Sequence, residues 1–336
     1  MAAGQKNGSP VHEHHRGRDA DAPTQIPPRG WKDVLARTKT EVKQDRVPML
    51  SAAVAFYSLL AIVPAMVAIV SLYGLLADPS DVDRQVGEWL GSAPQEVRDL
   101  IAAQLTSITE NAGTAVGIGV VIGILVALWS ASSGMAHLVE AINIVYDEEE
   151  TRGWFKRRLL AILLTLGATI FIVVAVGLIA ILPAVLAETG LGTATRVVAN
   201  IVRWLVLLVG MVVALSVLYR YGPDRDDPKW RWTSPGAIAA TIIWLLASVL
   251  FSVYTANFAK YNDTYGTLGA VVVVMLWLFL TALAVIVGAE LNAELERQTR
   301  RDSTTGADRP MGARDAHAAD TLGPTASEIR HKPAPK

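Results

Sequence analysis

Six apolar runs alternate with polar segments along this chain. Pro48 to Ala77 holds thirty residues without a charge, enough to cross a hydrocarbon core of about 30 Å with tilt. Asn111 to Val139, Leu159 to Ala187, Pro235 to Ala259 and Thr264 to Ala289 are also uncharged. Trp204 to Tyr219 has only sixteen residues between Arg203 and Arg220. It spans if Val197 to Arg203 joins the helix and Arg203 snorkels to the surface. Hydrocarbon satisfies no backbone polar group, so such runs must be helical. The pattern predicts an all-α polytopic membrane protein with six transmembrane helices, at about 48–77, 113–139, 159–187, 197–219, 235–258 and 266–290.

The runs carry their own packing signals. Ser51, Ala55 and Ser58 form a stripe of small residues, and Gly113, Gly117, Gly119 and Gly123 mark the start of the second run. Both suit close helix approach. Pro64 lies in the middle of the first run, where it removes a helical donor and is expected to kink the helix.

The flanking segments divide into three kinds. Residues 1–30 are rich in Gly, Pro, His, Asp and Arg without periodicity and read as a disordered tail, as do residues 297–336. His12, His14 and His15 suit a solvated tail better than a metal site. No run in the first thirty residues resembles a signal peptide, so the first span would act as an uncleaved signal. Residues 31–47 put Trp31, Val34, Leu35, Thr38 and Val42 on one helical face and bases around it, as in an amphipathic helix on a membrane surface. Residues 78–110 are acidic and predict an external helical segment.

Composition agrees with this division. Charged residues make up 18% of the 336, below the roughly 25% of a soluble domain, and they concentrate outside the runs. Without cysteine there is no disulfide framework or thiolate metal site. Sixteen lysines and arginines flank the spans on the side of both termini, against five on the other side. The positive-inside rule then makes both termini cytoplasmic.

Polar residues at membrane depth or its edge are the candidates for function. On the second run Ser130, Ser133, His137 and Glu140 share one face, which Asn143 extends. Polar packing, a substrate or proton path, and catalysis are the three readings. Catalysis lacks a nucleophile elbow, and one His with one Glu makes a poor metal site. Tyr57 and Pro64 on the first helix join the same candidate path. Between the last two runs, Tyr261, Asn262, Asp263, Thr264, Tyr265 and Gly266 form an outer turn, either an interface-anchored cap or a gate. The last run ends on Glu290, Asn292 and Glu294. Thr281, Ala284, Gly288 and Asn292 lie on one small-residue face, while Glu290 points elsewhere and could pair with Arg157 or Arg220.

Several segments, in order, resemble the YihY / BrkB family of bacterial inner-membrane proteins. They are LSAAVAFYSLLAIVPA from Leu50, ALWSASSGMAHLVEAIN from Ala127, LYRYGPD from Leu218, SPGAIAATIIWLLASVLFSVY from Ser234, YNDTYGTLGAVVVVMLWLF from Tyr261, and GAELNAE. The resemblance covers about residues 30 to 297 and implies six helices in the bacterial plasma membrane, without implying a mechanism. Some members carry a ribonuclease BN label. A metal-dependent nuclease needs convergent carboxylates or histidines, and the apolar body holds His137 as its one histidine. The cytoplasmic bases are interleaved with acids and form no nucleic-acid groove.

The leading expectation is a transporter or flippase-like protein for a lipid or another envelope component. Its path would be lined by the kinked first helix, the polar stripe of the second and the terminal carboxylate of the sixth. The alternative is a scaffold for envelope assembly, with an intramembrane enzyme as a third reading. The expected partners are membrane lipids and envelope-assembly proteins, with no nucleic acid, metal or cofactor; no nucleotide-binding motif is present.

Overall fold

The computed structural model describes residues 16–76, 116–183, 192–258 and 267–331. Six helices of 23 to 30 residues form a bundle. They are α2 (Val47–Leu76), α3 (Val116–Val145), α4 (Trp154–Val176), α5 (Thr193–Tyr221), α6 (Trp230–Phe258) and α7 (Thr267–Glu296). A polar helix, α1 (Pro28–Gln44), precedes them, and two short ones, α8 (His317–Asp320) and α9 (Ala326–His331), follow. Among the described residues the one sheet-like pairing is a single bridge between Pro228 and Thr304. The external segment 78–110 and the outer turn Tyr261, Asn262, Asp263, Tyr265 and Gly266 lie outside the described residues.

The fold is all-helical. Among the described residues four helical stretches are long and apolar enough to cross a membrane: Trp154–Ile179, Ala194–Tyr221, Trp230–Ala256 and Val271–Glu296. A fifth arises if Pro28–Gln44 and Val47–Ile62, bent by 61° at their junction, count as one broken span. Pro64 lies inside α2, which runs through it as one helix.

α7 is the hub of the bundle, packed on α6, α2, α1 and α3, while α2 pairs along its length with α3 and α5 with α6. The tightest seam is between α6 and α7. A methyl group at Gly236 would sit 2.1 Å from the Gly288 carbonyl oxygen, and one at Gly288 would sit 2.5 Å from the Tyr219 hydroxyl. Only glycine lets these backbones meet. The α2–α3 seam uses the same device once: a methyl at Gly134 would lie 2.8 Å from the Ser58 hydroxyl oxygen. Ser51 and Ala55 of the predicted stripe are buried.

Burial gathers at one end of the bundle, the end that carries both terminal segments. Val47, Val54, Ile142, Tyr219, Ala240, Ile286 and Ala289 form its core. Away from this end α4 and α5 present Leu163, Ile170, Val173, Val197, Ile201, Leu205 and Val209 outward, as helices in lipid do. Buried residues make up 6% of the most apolar stretch of α4 and 28% of that of α7, so α4 is peripheral and α7 central.

The terminal segments correct the expectation of disordered tails. Residues 16–30 and 297–331 are folded against each other and against the 222–229 loop. Composition missed this because the segments build no core of their own; side chains satisfy their backbones. Buried Arg314 donates to the carbonyls of Ala319 (2.6 Å), Arg300 (2.7 Å), Arg301 (3.3 Å) and Arg309 (3.1 Å). Thr299 donates to the Ala20 carbonyl at 2.7 Å, and Gln298 to that of Arg16 at 2.7 Å. Irregular backbone persists in a folded protein only when its polar groups are paired in this way.

α1 also differs from its sequence reading. It is amphipathic, but its inward face is Asp33, Val34, Arg37 and Thr38, while Leu35 is exposed. Arg37 turns into the protein rather than toward lipid head groups, because the Glu294 carboxylate waits there.

Candidate functional site

The last two turns of α7 place four polar side chains, Glu290, Asn292, Glu294 and Glu296, in the interior, each at most 1% exposed. Three have full sets of partners. Asn292 accepts from the Gly236 backbone N–H at 2.7 Å and donates to the Thr233 carbonyl at 2.9 Å. This bond is the reason for its place on the small-residue face with Ala284 and Gly288. Glu294 accepts from the Arg37 Nε and, at 2.6 Å, from Arg297 Nη1. Glu296 takes the two Nη groups of Arg225 at 3.2 and 2.7 Å and the Ser303 hydroxyl at 2.5 Å.

Glu290 is the exception. Its expected pair with Arg157 or Arg220 is not formed. Arg220 donates instead to the Pro228 carbonyl, lies 3.5 Å from Asp227 and stacks over Trp230. Arg157 is exposed. The Glu290 Oε2 is buried with no hydrogen-bond donor. Its neighbours are acidic: Asp45, Glu294, Glu41 and Asp147. Asp45 sits at the elbow between α1 and α2, within hydrogen-bonding reach of the Glu290 side chain. Burial first, and the charge of Asp147 next, push its carboxyl up to about 6. Among the described residues no group of three or more His, Asp or Glu has the geometry to hold a metal ion.

Asn143, at the end of the polar stripe on α3, is a structural tie. Its Oδ1 accepts from the Asp224 backbone N–H at 2.8 Å, and its Nδ2 donates to Glu150 at 3.0 Å. Glu150 holds Arg152 through two bonds of 2.7 Å, and Arg152 reaches the Gly222 carbonyl at 2.9 Å. Burial disfavours the charge of Asp224, but hydrogen bonds from the Thr151 hydroxyl and backbone, with Arg152 nearby, outweigh it and hold its pKa below the usual value.

The rest of the stripe faces another way. His137 stacks on Tyr57 of α2, ring centroids 3.6 Å apart and planes 19° from parallel. Its Nδ1 lies 3.5 Å from Glu140, and the two side chains are 35% and 56% exposed. Tyr57 is exposed and meets Phe56 edge-on at 5.5 Å. Ser130 and Ser133 are half-buried, the Ser133 hydroxyl donating to the Ser130 carbonyl at 2.7 Å. Pro64 is half-buried further along α2. The polar groups therefore fall in two places: a partly exposed strip along the packed α2–α3 seam, and a carboxylate cluster at the end of α7 in which Glu290 and Glu294 are buried, Glu41 and Asp45 half-buried and Asp147 exposed.

The sequence reading missed Arg37, Asp45, Arg225 and Arg314. Arg37 was legible in part, since it lies three residues after Val34 and next to Thr38 on the inward face. The other three lie outside the helices in segments without periodicity.

Glu148 gives this end of the bundle a pH response. Burial, as the largest effect, pushes its carboxyl up to about 7 from an ordinary 4.5, although it accepts the His317 backbone N–H. A folded-state pKa above the unfolded one means that the folded form binds the proton more tightly. The stabilisation is complete below about 4.5 and is lost as the pH rises to about 7. The thermal midpoint is therefore expected to fall between pH 5 and 7.5 by this contribution, and Glu148→Gln to flatten the profile in a detergent melt.

The family described as Virulence factor BrkB matches this chain over residues 38–312. The chain is 32% identical over 258 residues to YfkH of Bacillus subtilis, which carries a ribonuclease-like name, covering 74% of this chain and 90% of that one. It is 28% identical over 184 residues to a UPF0761 membrane protein of Idiomarina loihiensis, covering 54% and 61%. A UPF0761 membrane protein of Stenotrophomonas maltophilia is 29% identical over 261 residues, covering 75% and 58%. The chain thus spans about three fifths of these two relatives. No solved structure matches it. The match reaches past the helical bundle into the folded segment after Arg297, so bundle and docked segment together identify the chain as a membrane protein of the BrkB virulence factor family.

Proposed function

We propose that this protein moves a lipid or another amphiphilic envelope component across a bacterial plasma membrane. It would do so with six spans and both termini in the cytoplasm. The observation that carries this reading is the partly exposed polar strip along the α2–α3 seam. Tyr57, Ser130, Ser133, His137 and Glu140 form a polar strip on the bundle's flank, beside the exposed apolar residues Phe56, Leu60 and Val126. A strip of this kind suits a ligand with a polar head and an apolar tail. The head would run along the hydroxyls and the His137–Glu140 pair while the chains stay in the lipid. In the proposed topology this ionisable pair lies at the membrane edge, where such groups are candidates for function. Trp129, stacked under Arg158 at 4.1 Å and beside Trp154 at 5.3 Å, anchors the same flank at an interfacial level.

The alternative, a scaffold for envelope assembly, is favoured by the folded platform of residues 16–30 and 297–331, which offers a polar surface for protein contacts. Purified protein in liposomes carrying headgroup-labelled phospholipid separates the two. Transport predicts that label in the inner leaflet becomes accessible to a membrane-impermeant quencher. His137→Ala combined with Glu140→Gln is then expected to slow this about tenfold or more, the equivalent of one lost charge-assisted hydrogen bond. Unchanged rates in these variants and in Ser133→Ala would remove the seam from the path. No movement by the intact protein would favour the scaffold.

A further inference from the structure

We propose that Asp45 and Glu290 form a proton-binding site, a carboxyl pair that holds one proton between them at the elbow of α1 and α2. The Glu290 side chain is 1% exposed, and its Oε2 has no donor. Asp45 is within hydrogen-bonding reach. Two ionised carboxylates have only acceptors to offer each other. Asp45 is half-buried and Glu290 fully buried, so contact between them on the Glu290 side favours a proton, with one oxygen donating to the other, as in other paired acids.

Among the described residues no cation donates to the Glu290 Oε2; Arg297 acts instead on Asp45 and Glu41. From α1 comes Glu41, from the end of α3 come Asp147 and Tyr146, and from α7 itself Glu294. Of the nearby arginines, Arg37 is held by Glu294 and the Pro324 carbonyl, while Arg297 donates to Glu294, lies 4.0 Å from Glu41 and acts on the half-buried Asp45. His317 lies 3.6 Å from Asp147. Of five carboxylates in the cluster, Glu294 alone is fully neutralised. Coupled acids of this kind titrate as a unit, so the proton belongs to the pair.

The site also stands at a joint. α1 and α2 meet at 61°, and Arg46, between Asp45 and Val47, has a φ of 53°. A non-glycine residue in this left-handed region is held there by its surroundings. Loss of the proton would set the Asp45 and Glu290 charges against each other across this elbow and favour its opening. A role in driving lipid movement with a proton gradient rests on the transport reading above. The site itself does not.

Infrared difference spectroscopy on the full-length protein in lipid nanodiscs tests the site directly. The intact protein is expected to show the C=O stretch of a buried protonated carboxyl at neutral pH, which disappears on alkaline titration. Glu290→Gln and Asp45→Asn should each remove or shift that band. Glu140→Gln, on the exposed seam, should leave it. A missing band in the intact protein, or the same band in both variants, would overturn the proposal, and the first of these outcomes needs no variant to fold. If the band is present while the protein moves no lipid under an imposed pH gradient, the proton site stands and the transport reading falls.

Discussion

Arg37→Ala is expected to destabilise the protein by about 3–5 kcal/mol, the cost of leaving one member of a buried ion pair alone. Both side chains of the Arg37–Glu294 pair are 1% exposed. Beyond the carboxylate, Arg37 donates to the Glu294 carbonyl at 2.7 Å and to that of Pro324 at 3.0 Å. A single guanidinium thus ties α1 to the end of α7 and to the docked C-terminal segment. Gly323 lies against it so closely that a methyl there would be 2.3 Å from the Arg37 Nε. Truncation strands a buried carboxylate with Arg297 alone and two carbonyls with no donor. Replacing both partners by apolar residues of similar volume, Arg37→Met with Glu294→Leu, should recover much of the loss, since the desolvation of both charges disappears too. Thermal melts of the two variants in detergent, followed by monodispersity on a sizing column, check this. Equal midpoints for Arg37→Ala and the intact protein would refute the assigned role.

Gly288→Ala and Gly236→Ala are expected to separate α6 from α7. At Gly288 the added methyl meets the Tyr219 hydroxyl at 2.5 Å, the Gly236 carbonyl at 2.6 Å and the Ala240 methyl at 2.7 Å, so no single side chain can yield to make room. At Gly236 it meets the Gly288 carbonyl at 2.1 Å and the Asn292 amide at 2.5 Å. Overpacking typically costs about 1–3 kcal/mol. Here the displaced helices would also stretch the Asn292 bonds to Gly236 and Thr233 and the 2.7 Å bond from Tyr219 to the Val285 carbonyl. Each buried group left unpaired adds about 1–3 kcal/mol. Gly167→Ala on α4 is the control: a methyl there meets nothing within 4 Å, and alanine is the better helix former by roughly 0.5–1 kcal/mol. Folded yield and thermal midpoint should therefore fall for the first two and hold or rise for the third. The opposite order would mean that the glycine seam is not what sets the α6–α7 distance.

The two sites differ in how far they could be read in advance. Ser130, Ser133, His137 and Glu140 were recognisable because they recur at helical spacing within an apolar run, and the structure keeps them on one seam with Tyr57. Asn143 follows the same spacing but serves the loop network through Asp224 and Glu150. Spacing says which residues share a face and not what that face meets. Glu290 was recognisable as costly, yet its expected arginine partners are held elsewhere, by Pro228 and Asp227 in the case of Arg220. Its actual neighbour, Asp45, lies 245 positions earlier in the numbering, in a two-residue elbow with no pattern.

Sequence alone determined the helical class, the presence of several membrane-length apolar helices and the concentration of polar groups at helix ends. Hydrocarbon imposes these directly on the order of residues, through length and the need to pair every backbone group. Tertiary structure decided the rest. It folded the terminal segments over one end of the bundle, where buried Arg314, Thr299 and Gln298 replace the hydrophobic periodicity that would have announced them. It also turned Arg37 inward and set Asp45 beside Glu290. Those arrangements depend on which charges find partners when distant segments meet, a long-range outcome that no local spacing encodes.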